Sequence, residues 1–259
     1  MPGRRLLRRR RKMRIRIVTK RAQPLSLKKH RRPNYLTVIS WVAVLWLLCG
    51  LATVMAADRV GTVTHLSGPL FAKKADGTVK TLVVNSIVEL GDALITEKKT
   101  YARVKFTDNS EITLRPQSQF KIDQFFFDQA KPKEDKAVLS LVKGGVRAVT
   151  GQIGKRFQSD NYQMTTPMAI AGVRGTIFEI RICDGNCPGI NNGLYLFVLE
   201  GSITLTNGAG TQDVSAGQFA YVQDGQTLPV ILPSNPGLSF TLPESIQLEG
   251  KLQDGCIVR

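Results

Sequence analysis

From Asp58 onward, apolar residues recur at every second position in short runs cut apart by Gly, Asn, Asp and Pro, a period that strands satisfy and helices do not. Tyr101 to Ile122 (YARVKFTDNSEITLRPQSQFKI) is the clearest instance. Ala102, Val104 and Phe106 alternate with Arg103 and Lys105, Asp108-Asn109-Ser110 supplies a turn, and Ile112 and Leu114 resume the alternation until Pro116 stops it. Asp and Asn tolerate left-handed backbone at such a turn, so the stretch predicts a hairpin with one apolar face.

The same grammar recurs. GTVTHLSG (61–68), GGVRAVTG (144–151) and GSITLTNG (201–208) each hold a β-rich run between two glycines, and VELGDALIT (88–96) and VSAGQFAYV (214–222) share a strand-opening turn. Repetition of one supersecondary unit predicts hairpins that bury their faces on one another. The fold expected is all-β, a solenoid-like stack of twisted antiparallel hairpins, preceded by one N-terminal signal or transmembrane helix. KPKEDK (131–136) reads as a charged link within the β region.

Charge is distributed unevenly. The chain of 259 residues has a formal charge of +16, but residues 1–34 hold 15 Lys and Arg and no acid, which leaves 21 basic against 20 acidic residues in the remainder. Directly after this block, the 25 residues from Pro33 to Ala57 carry no charge, enough to cross a hydrocarbon core as a helix. Basic residues stay on the cytoplasmic side, so everything after Asp58 is expected outside. The positive charge is therefore a topology signal, and no nucleic-acid partner is expected. Val54-Met55-Ala56 before Ala57 fits a signal-peptidase site, with Ala56 and Ala57 flanking the cut; retention of the segment as a single-pass anchor is the alternative. The organisation expected is a basic arm at 1–34, a signal h-region or transmembrane helix at 35–57, a β domain at 58–228 and a Pro-containing tail at 229–259. Export places the β domain in the periplasm or extracellular space; an uncleaved segment holds it on the periplasmic side of the inner membrane.

Of four cysteines, Cys49 lies in the apolar segment and Cys183, Cys187 and Cys256 lie beyond it. In an oxidising compartment Cys183 and Cys187 of CDGNC are candidates for a small disulfide loop, with Cys256 unpaired or bonded to another chain; spacing alone also admits a bond from Cys256 to either of them.

Ingredients for catalysis are sparse. His65 is the single histidine after the basic arm, and no GxSxG, HExxH or Walker-type loop occurs. The SxxK match from Ser26 to Lys29 sits in the basic arm without hydrolase context. Glu89, Asp92, Asp108 and Glu111 stand at turns, where acids are expected to be solvated. DGNCPGINNG (184–193) offers Asp184, Asn186, Asn191 and Asn192 as oxygen donors but lacks the spacing and closing Glu of a calcium loop, so a disulfide-braced hairpin loop is the better reading. No catalytic residue, metal or cofactor is expected.

TTPMAIAGVRGTIFEI (165–180) interrupts a β-rich run with Pro167, Gly172 and Gly175. It is no phosphate loop, because Thr176 to Ile180 alternates as a strand where a helix would have to follow. Gly172 and Gly175 are expected at a bend, a bulge or a close approach of another backbone, Pro167 at a strand edge or start, and Arg174 as an anchor for neighbouring carbonyls or carboxylates.

This stretch resembles the core motif of the FecR domain family, through Thr166, Pro167, Gly172, Val173, Arg174, Gly175, Thr176 and Phe178. The resemblance runs from about Arg59 to Val222 through GTVTHLSG, LGDALIT, VKFTDNSEITLRPQSQFKI, LVKGGVRAVTG, VLEGSITL and VSAGQF, with Asn109 where the family commonly has Gly. It implies an extracytoplasmic all-β module that binds other proteins and has no catalytic activity. The family's named members are inner-membrane regulators that relay the state of an outer-membrane iron-siderophore receptor to a cytoplasmic sigma factor. This chain departs from them: its first 34 residues do not resemble their helical sigma-binding domain, and its tail does not resemble their receptor-docking subdomain.

Three functions are therefore weighed. The first is an exported, non-catalytic protein-binding or sensing module whose partners are envelope proteins, with membrane contact through the N-terminal segment if uncleaved. The second is a membrane-anchored signalling regulator of the anti-sigma type, and the third an envelope hydrolase, for which the site is missing. The sequence names no small-molecule ligand.

Overall fold

A computed structural model describes residues 58–156, 161–239, 242, 243 and 246. The basic arm, the apolar segment with Ala56 and Ala57, and Cys256 lie outside the described residues. The described residues all belong to one compact unit, whose boundary falls at Ala56.

The unit is all-β, as its alternation requires. Fifteen strands join one hydrogen-bonded sheet: β1 (Arg59–Leu66), β2 (Leu70–Lys73), β3 (Val79–Leu82), β4 (Ile87–Glu89), β5 (Ala93–Thr96), β6 (Ala102–Phe106), β7 (Glu111–Leu114), β8 (Gln119–Phe126), β9 (Lys136–Val149), β10 (Tyr162–Thr165), β11 (Ile170–Cys183), β12 (Gly193–Asn207), β13 (Gly210–Ser215), β14 (Phe219–Val222) and β15 (Val230–Leu232). A short helix, α1 (Gln152–Arg156), follows β9, and KPKEDK folds as a 3-10 turn over Pro132–Glu134. The path runs β15-β14-β12-β11-β10-β9-β7-β6-β1-β4, with β13 beside β12 and with β3, β2, β5 and β8 chained onto β9. All pairs are antiparallel except β9 with β10. The strand β15 lies within the stretch read from sequence as the Pro-containing tail, and pairs Val230–Leu232 with Phe219–Tyr221.

The predicted hairpin is β6 and β7, with Lys105 opposite Glu111 and Ala102 opposite Leu114. Its turn places Asn109 at φ 65°, a left-handed value that Asn adopts at little cost. Asp108 is fully buried: its Oδ1 accepts hydrogen bonds from the Ser110 amide and hydroxyl, and its carbonyl accepts one from the Gln152 amide at the start of α1.

Long strands change partners along their length. β9 pairs with β8 and β10 through residues 136–143, then with β7 and β11 through residues 144–149. β11 pairs with β10 before Arg174 and with β9 from Ile177 onward, keeping β12 on its other side throughout. β12 in turn pairs with β14 up to Phe197 and with β13 from Ser202. Each change coincides with a glycine in left-handed backbone: Gly144 at φ 85°, Gly175 at φ 59° and Gly201 at φ 80°. The repeats found in the sequence open on two of these three bends.

Bending brings one sheet face inward on itself. The main apolar cluster gathers Val63 of β1, Leu94 of β5, Phe120 of β8, Ile180 of β11 and Ala220 of β14 into one core. A second, smaller cluster on the opposite face holds Cys183, Cys187, Tyr195 and Leu238. β12 is accordingly buried on both faces, with Leu194, Leu196 and Val198 in the first cluster and Tyr195 and Phe197 against the second. Its aromatic side chains meet their cross-strand partners on β14: Phe197 stacks on Phe219 at 4.3 Å between centroids, and Tyr195 lies 4.9 Å from Tyr221.

Candidate functional site

TTPMAIAGVRGTIFEI occupies the centre of this arrangement. Pro167 is exposed in the turn between β10 and β11, where its missing N–H costs the ladder nothing. Thr166 closes that turn: its hydroxyl donates to the Ala169 carbonyl at 2.7 Å and accepts from the Met168 and Ala169 amides. Gly172 sits in regular β11 pairing with Gln163 and Thr204, so the bend expected of two glycines belongs to Gly175 alone. Val173 and Phe178 are buried on the core face.

At the bend, Thr176 ties three strands together. Its amide donates to Thr150 Oγ1 at 2.8 Å, its carbonyl accepts from both the amide and the hydroxyl of Thr150 at 3.1 Å, and its own hydroxyl donates to the Ser202 carbonyl at 3.0 Å. Both threonines are buried, so these bonds replace ladder contacts that the bulge between Arg174 and Ile177 removes. The crevice at this bend is small, about 50 Å³, and has Lys155 and Glu200 among its walls.

Arg174 does not anchor the bend. It is exposed, and among the described residues its side chain has no hydrogen-bond or ion-pair partner. The anchoring arginine is instead Arg115, on the opposite face from the core. Its Nη2 lies 2.8 Å from Glu179 Oε2, while Arg147 Nη1 approaches Glu179 Oε1 at 3.4 Å. Register explains the meeting: Thr113, Arg147, Glu179, Phe197 and Phe219 form one row across β7, β9, β11, β12 and β14. Burial pushes the Glu179 carboxyl above its ordinary range, and the two arginines offset only part of that.

The next row outward forms a cleft. Gly145, Arg181, Tyr195 and Tyr221 lie abreast on β9, β11, β12 and β14, and the Arg115 amide donates to the Gly145 carbonyl. The cleft holds about 480 Å³, in the range of small-molecule sites, and its walls include Tyr101, Arg115, Gln117, Arg181, Asn186 and Ser239. A side chain at Gly145 would be crowded here, because a Cβ would lie 3.0 Å from the Ile180 carbonyl and 3.1 Å from the side chains of Arg115 and Arg181. Burial lowers the pKa of Arg181, with the charge of Arg115 adding to the effect.

The loop of residues 184–192 forms one rim. Cys183 and Cys187 are joined by a disulfide, and the side-chain oxygens of Asn186 and Asn192 accept the amides of Asp184 and Gly185. The side-chain oxygens of Asn186 and Asn192 are thus engaged within the loop. Among the described residues no group of three His, Cys, Asp or Glu is placed to hold a metal ion.

Of the four acids read as solvated, Glu89 and Glu111 are partly exposed, whereas Asp92 and Asp108 are buried. Asp92 is buried and takes Lys74 Nζ at 2.8 Å together with the Glu89 amide, and Lys74 also pairs with Glu89. Asp108 is likewise committed to its own turn. In both cases the carboxylate terminates backbone amides that a tight turn leaves without a ladder partner. Spacing could not reveal Arg115, Arg147, Glu179 and Arg181 as a group, although each occupies the phase of its strand opposite to the core-facing residues, which is the one signal that could have found them.

Compared with known proteins, residues 92–204 match the family described as FecR protein, the span from β5 into the C-terminal half of β12 that contains the bends at Gly144, Gly175 and Gly201 and the ion pair of Arg115 with Glu179. No curated protein matches the sequence. Two solved structures are similar, each described as a "putative anti-sigma factor" from Parabacteroides distasonis. The first is 8% identical with a TM-score of 0.43, over 56% of this chain and 60% of that one. The second is 10% identical with a TM-score of 0.44, over 62% of this chain and 72% of that one. The chain thus spans less than two thirds of the length of the first of these neighbours.

Proposed function

We propose that this chain is an exported, non-catalytic FecR-type regulatory or sensing module that works by contact with proteins of the cell envelope. The observation that carries the reading is the FecR match over residues 92–204, in which the motif residues serve the backbone: Gly175 bends it, Thr166 and Thr176 bond it, and Val173 and Phe178 pack beneath it. Such residues build a scaffold, which leaves recognition to the face they hold in place. The hairpins, chained by partner exchange at glycine bends, make a solenoid-like stack in this reading.

Absence of a catalytic role is supported by what the polar residues already do. Asp92 and Asp108 are buried in turns, Glu179 is clamped by two arginines, and the disulfide loop uses its own amide oxygens. Export is supported by the basic block followed by 25 uncharged residues, with processing after Ala56 releasing the module to the periplasm or extracellular space.

A second reading is favoured by the same 25 residues. If they are retained they anchor the β domain on the periplasmic side of the inner membrane, and the chain becomes a regulator whose short basic arm meets a cytoplasmic partner. The mass of the protein recovered from its own membranes separates the two: loss of residues 1–56 excludes signalling through the arm, whereas a full-length, membrane-bound chain with a sigma factor bound to residues 1–34 establishes the second. Cross-linking in the native envelope then identifies the partner. Recovery of a hydrolytic product dependent on the β domain would overturn both.

A further inference from the structure

Among the described residues the cleft is lined by two cations, Arg115 and Arg181, and no acid, and Arg181 has no charged partner among them. Arg115 spends its charge on Glu179, which lies behind the cleft wall. Arg181 is partly buried, and among the described residues its one hydrogen bond is a 3.4 Å contact from Nη1 to the Ser239 carbonyl and no carboxylate is paired with it. Among the described residues, Arg115 and Arg147 share the one buried carboxylate of Glu179, and Arg181 lies in the neighbouring row of the same face.

A guanidinium partly shielded from water and near another one gains from an anion that joins them, and its planar fork fits a carboxylate through two parallel N–H···O bonds. Tyr101, Gln117 and Asn186 add neutral hydrogen-bonding groups around the same opening. We propose that this cleft is a binding site for a carboxylate, which Arg181 receives by its guanidinium, while Arg115 and Arg147, sharing the one carboxylate of Glu179, keep the wall behind it from repelling an anion. The carboxylate comes from an acidic protein segment or from a free small acid. The inference deepens the reading of the chain as a contact module by naming the chemistry its face recognises, and it rests on that reading only where the carboxylate is a protein's.

The test titrates the full chain in detergent by calorimetry with N-acetyl tetra-aspartate and with succinate, using inorganic phosphate and N-acetyl tetra-asparagine as comparisons. Saturable binding of at least one carboxylate probe is expected, with affinity lowered about tenfold or more in Arg181→Gln and to a smaller extent in Arg181→Lys, which keeps the charge but loses the fork. Tighter binding of the peptide than of succinate assigns the ligand to a protein segment; equal or weaker peptide binding assigns it to a free acid. Three results overturn the proposal: no saturable binding by either carboxylate, binding unchanged in both Arg181 variants while their strand signature in circular dichroism is retained, or phosphate binding as tightly as the carboxylates. If both variants lose the strand signature, Asn186→Ala and Gln117→Ala, two other lining residues, are titrated instead, and affinity unchanged in both overturns it as well. An envelope partner captured by a chain that binds no carboxylate leaves the contact function standing and removes this site.

Discussion

Arg115 and Glu179 lie 64 residues apart in sequence, yet Arg115 Nη2 and Glu179 Oε2 meet at 2.8 Å with side chains 7% and 0% exposed. The sheet brings them together through β9: the Arg115 amide bonds Gly145, whose strand pairs with β11 from Gly144 to Val149. With no side chain of its own, Gly145 leaves room beside it for the side chains of Arg115 and Arg181.

Removing one partner of this pair strands the other in a dry site. Glu179→Ala is expected to cost about 3–5 kcal/mol, while the double change Arg115→Met with Glu179→Leu costs markedly less than the two single changes combined, because no buried charge is then left alone. Urea unfolding of the four proteins measures it. Additive losses would show that the pair is not energetically coupled.

Glu179 also makes stability depend on pH in an identifiable direction. Burial raises its folded-state pKa above the ordinary 4.5, with Arg115 and then Arg147 offsetting part of the rise, so the folded chain binds this proton more tightly than the unfolded chain. The contribution of this group is fully present below the unfolded value and diminishes as the pH rises through the folded value. Glu179→Gln, which keeps an acceptor for Arg115, is expected to flatten that decline. Unfolding midpoints of both proteins, compared between about pH 4 and pH 7, test the sign; a midpoint that rises with pH in the native chain and flattens in the variant would reverse it.

The bend at Gly175 and the bend at Gly201 differ in what each forbids. A Cβ at Gly175 would meet nothing closer than the Gly154 carbonyl at 4.0 Å, so the constraint there is the left-handed backbone at φ 59°. A Cβ at Gly201 would lie 2.4 Å from the Gly175 carbonyl oxygen, a contact that β11 and β12 can relieve only by separating. Gly175→Ala is therefore expected to cost about 1–2 kcal/mol and Gly175→Val more, since a β-branched residue is least suited to that backbone. Gly201→Ala should cost more than Gly175→Ala. Thermal unfolding ranks them, and equal stability of Gly201→Ala and the parent chain would mean the two strands are not closely apposed at this point.

Local features of the fold were legible in the sequence, because alternation and turn chemistry act between neighbours. The β6–β7 hairpin with Asn109 at its turn follows from a dozen contiguous residues, and the repeats mark strands that each lie between two antiparallel partners. The exchange of partners along β9, β11 and β12 was not legible, since a 14-residue strand of alternating residues reads alike whether it has one neighbour on each side or two. Charge placement failed for a related reason. Arg174 and Arg181 both alternate with apolar residues on β11, but only the row containing Arg181 is partly covered, by residues such as Asn186 and Ser239 from distant parts of the chain. Asp92 and Asp108 looked like ordinary turn acids because nothing local announces that Lys74 or α1 will cover the turn.

The disulfide between Cys183 and Cys187 closes a loop of five residues, for which chain entropy alone gives about 2 kcal/mol. Its sulfurs also pack in the second apolar cluster with Tyr195 and Leu238, and the loop that it closes carries Asn186 to the cleft. Joint replacement of Cys183 and Cys187 by Ala should lower stability by at least that amount, because the loop gains freedom in the unfolded chain and the cluster loses two sulfur atoms. Reductant should lower the unfolding midpoint of the parent chain and leave that of the double variant unchanged. Hydrogen exchange adds a spatial test: amides from Cys183 to Tyr195 should lose protection while those of the β6–β7 hairpin, in the main core, keep theirs. Equal loss at both places would mean that the loop holds the whole sheet together, and the second cluster would then be part of a single cooperative core.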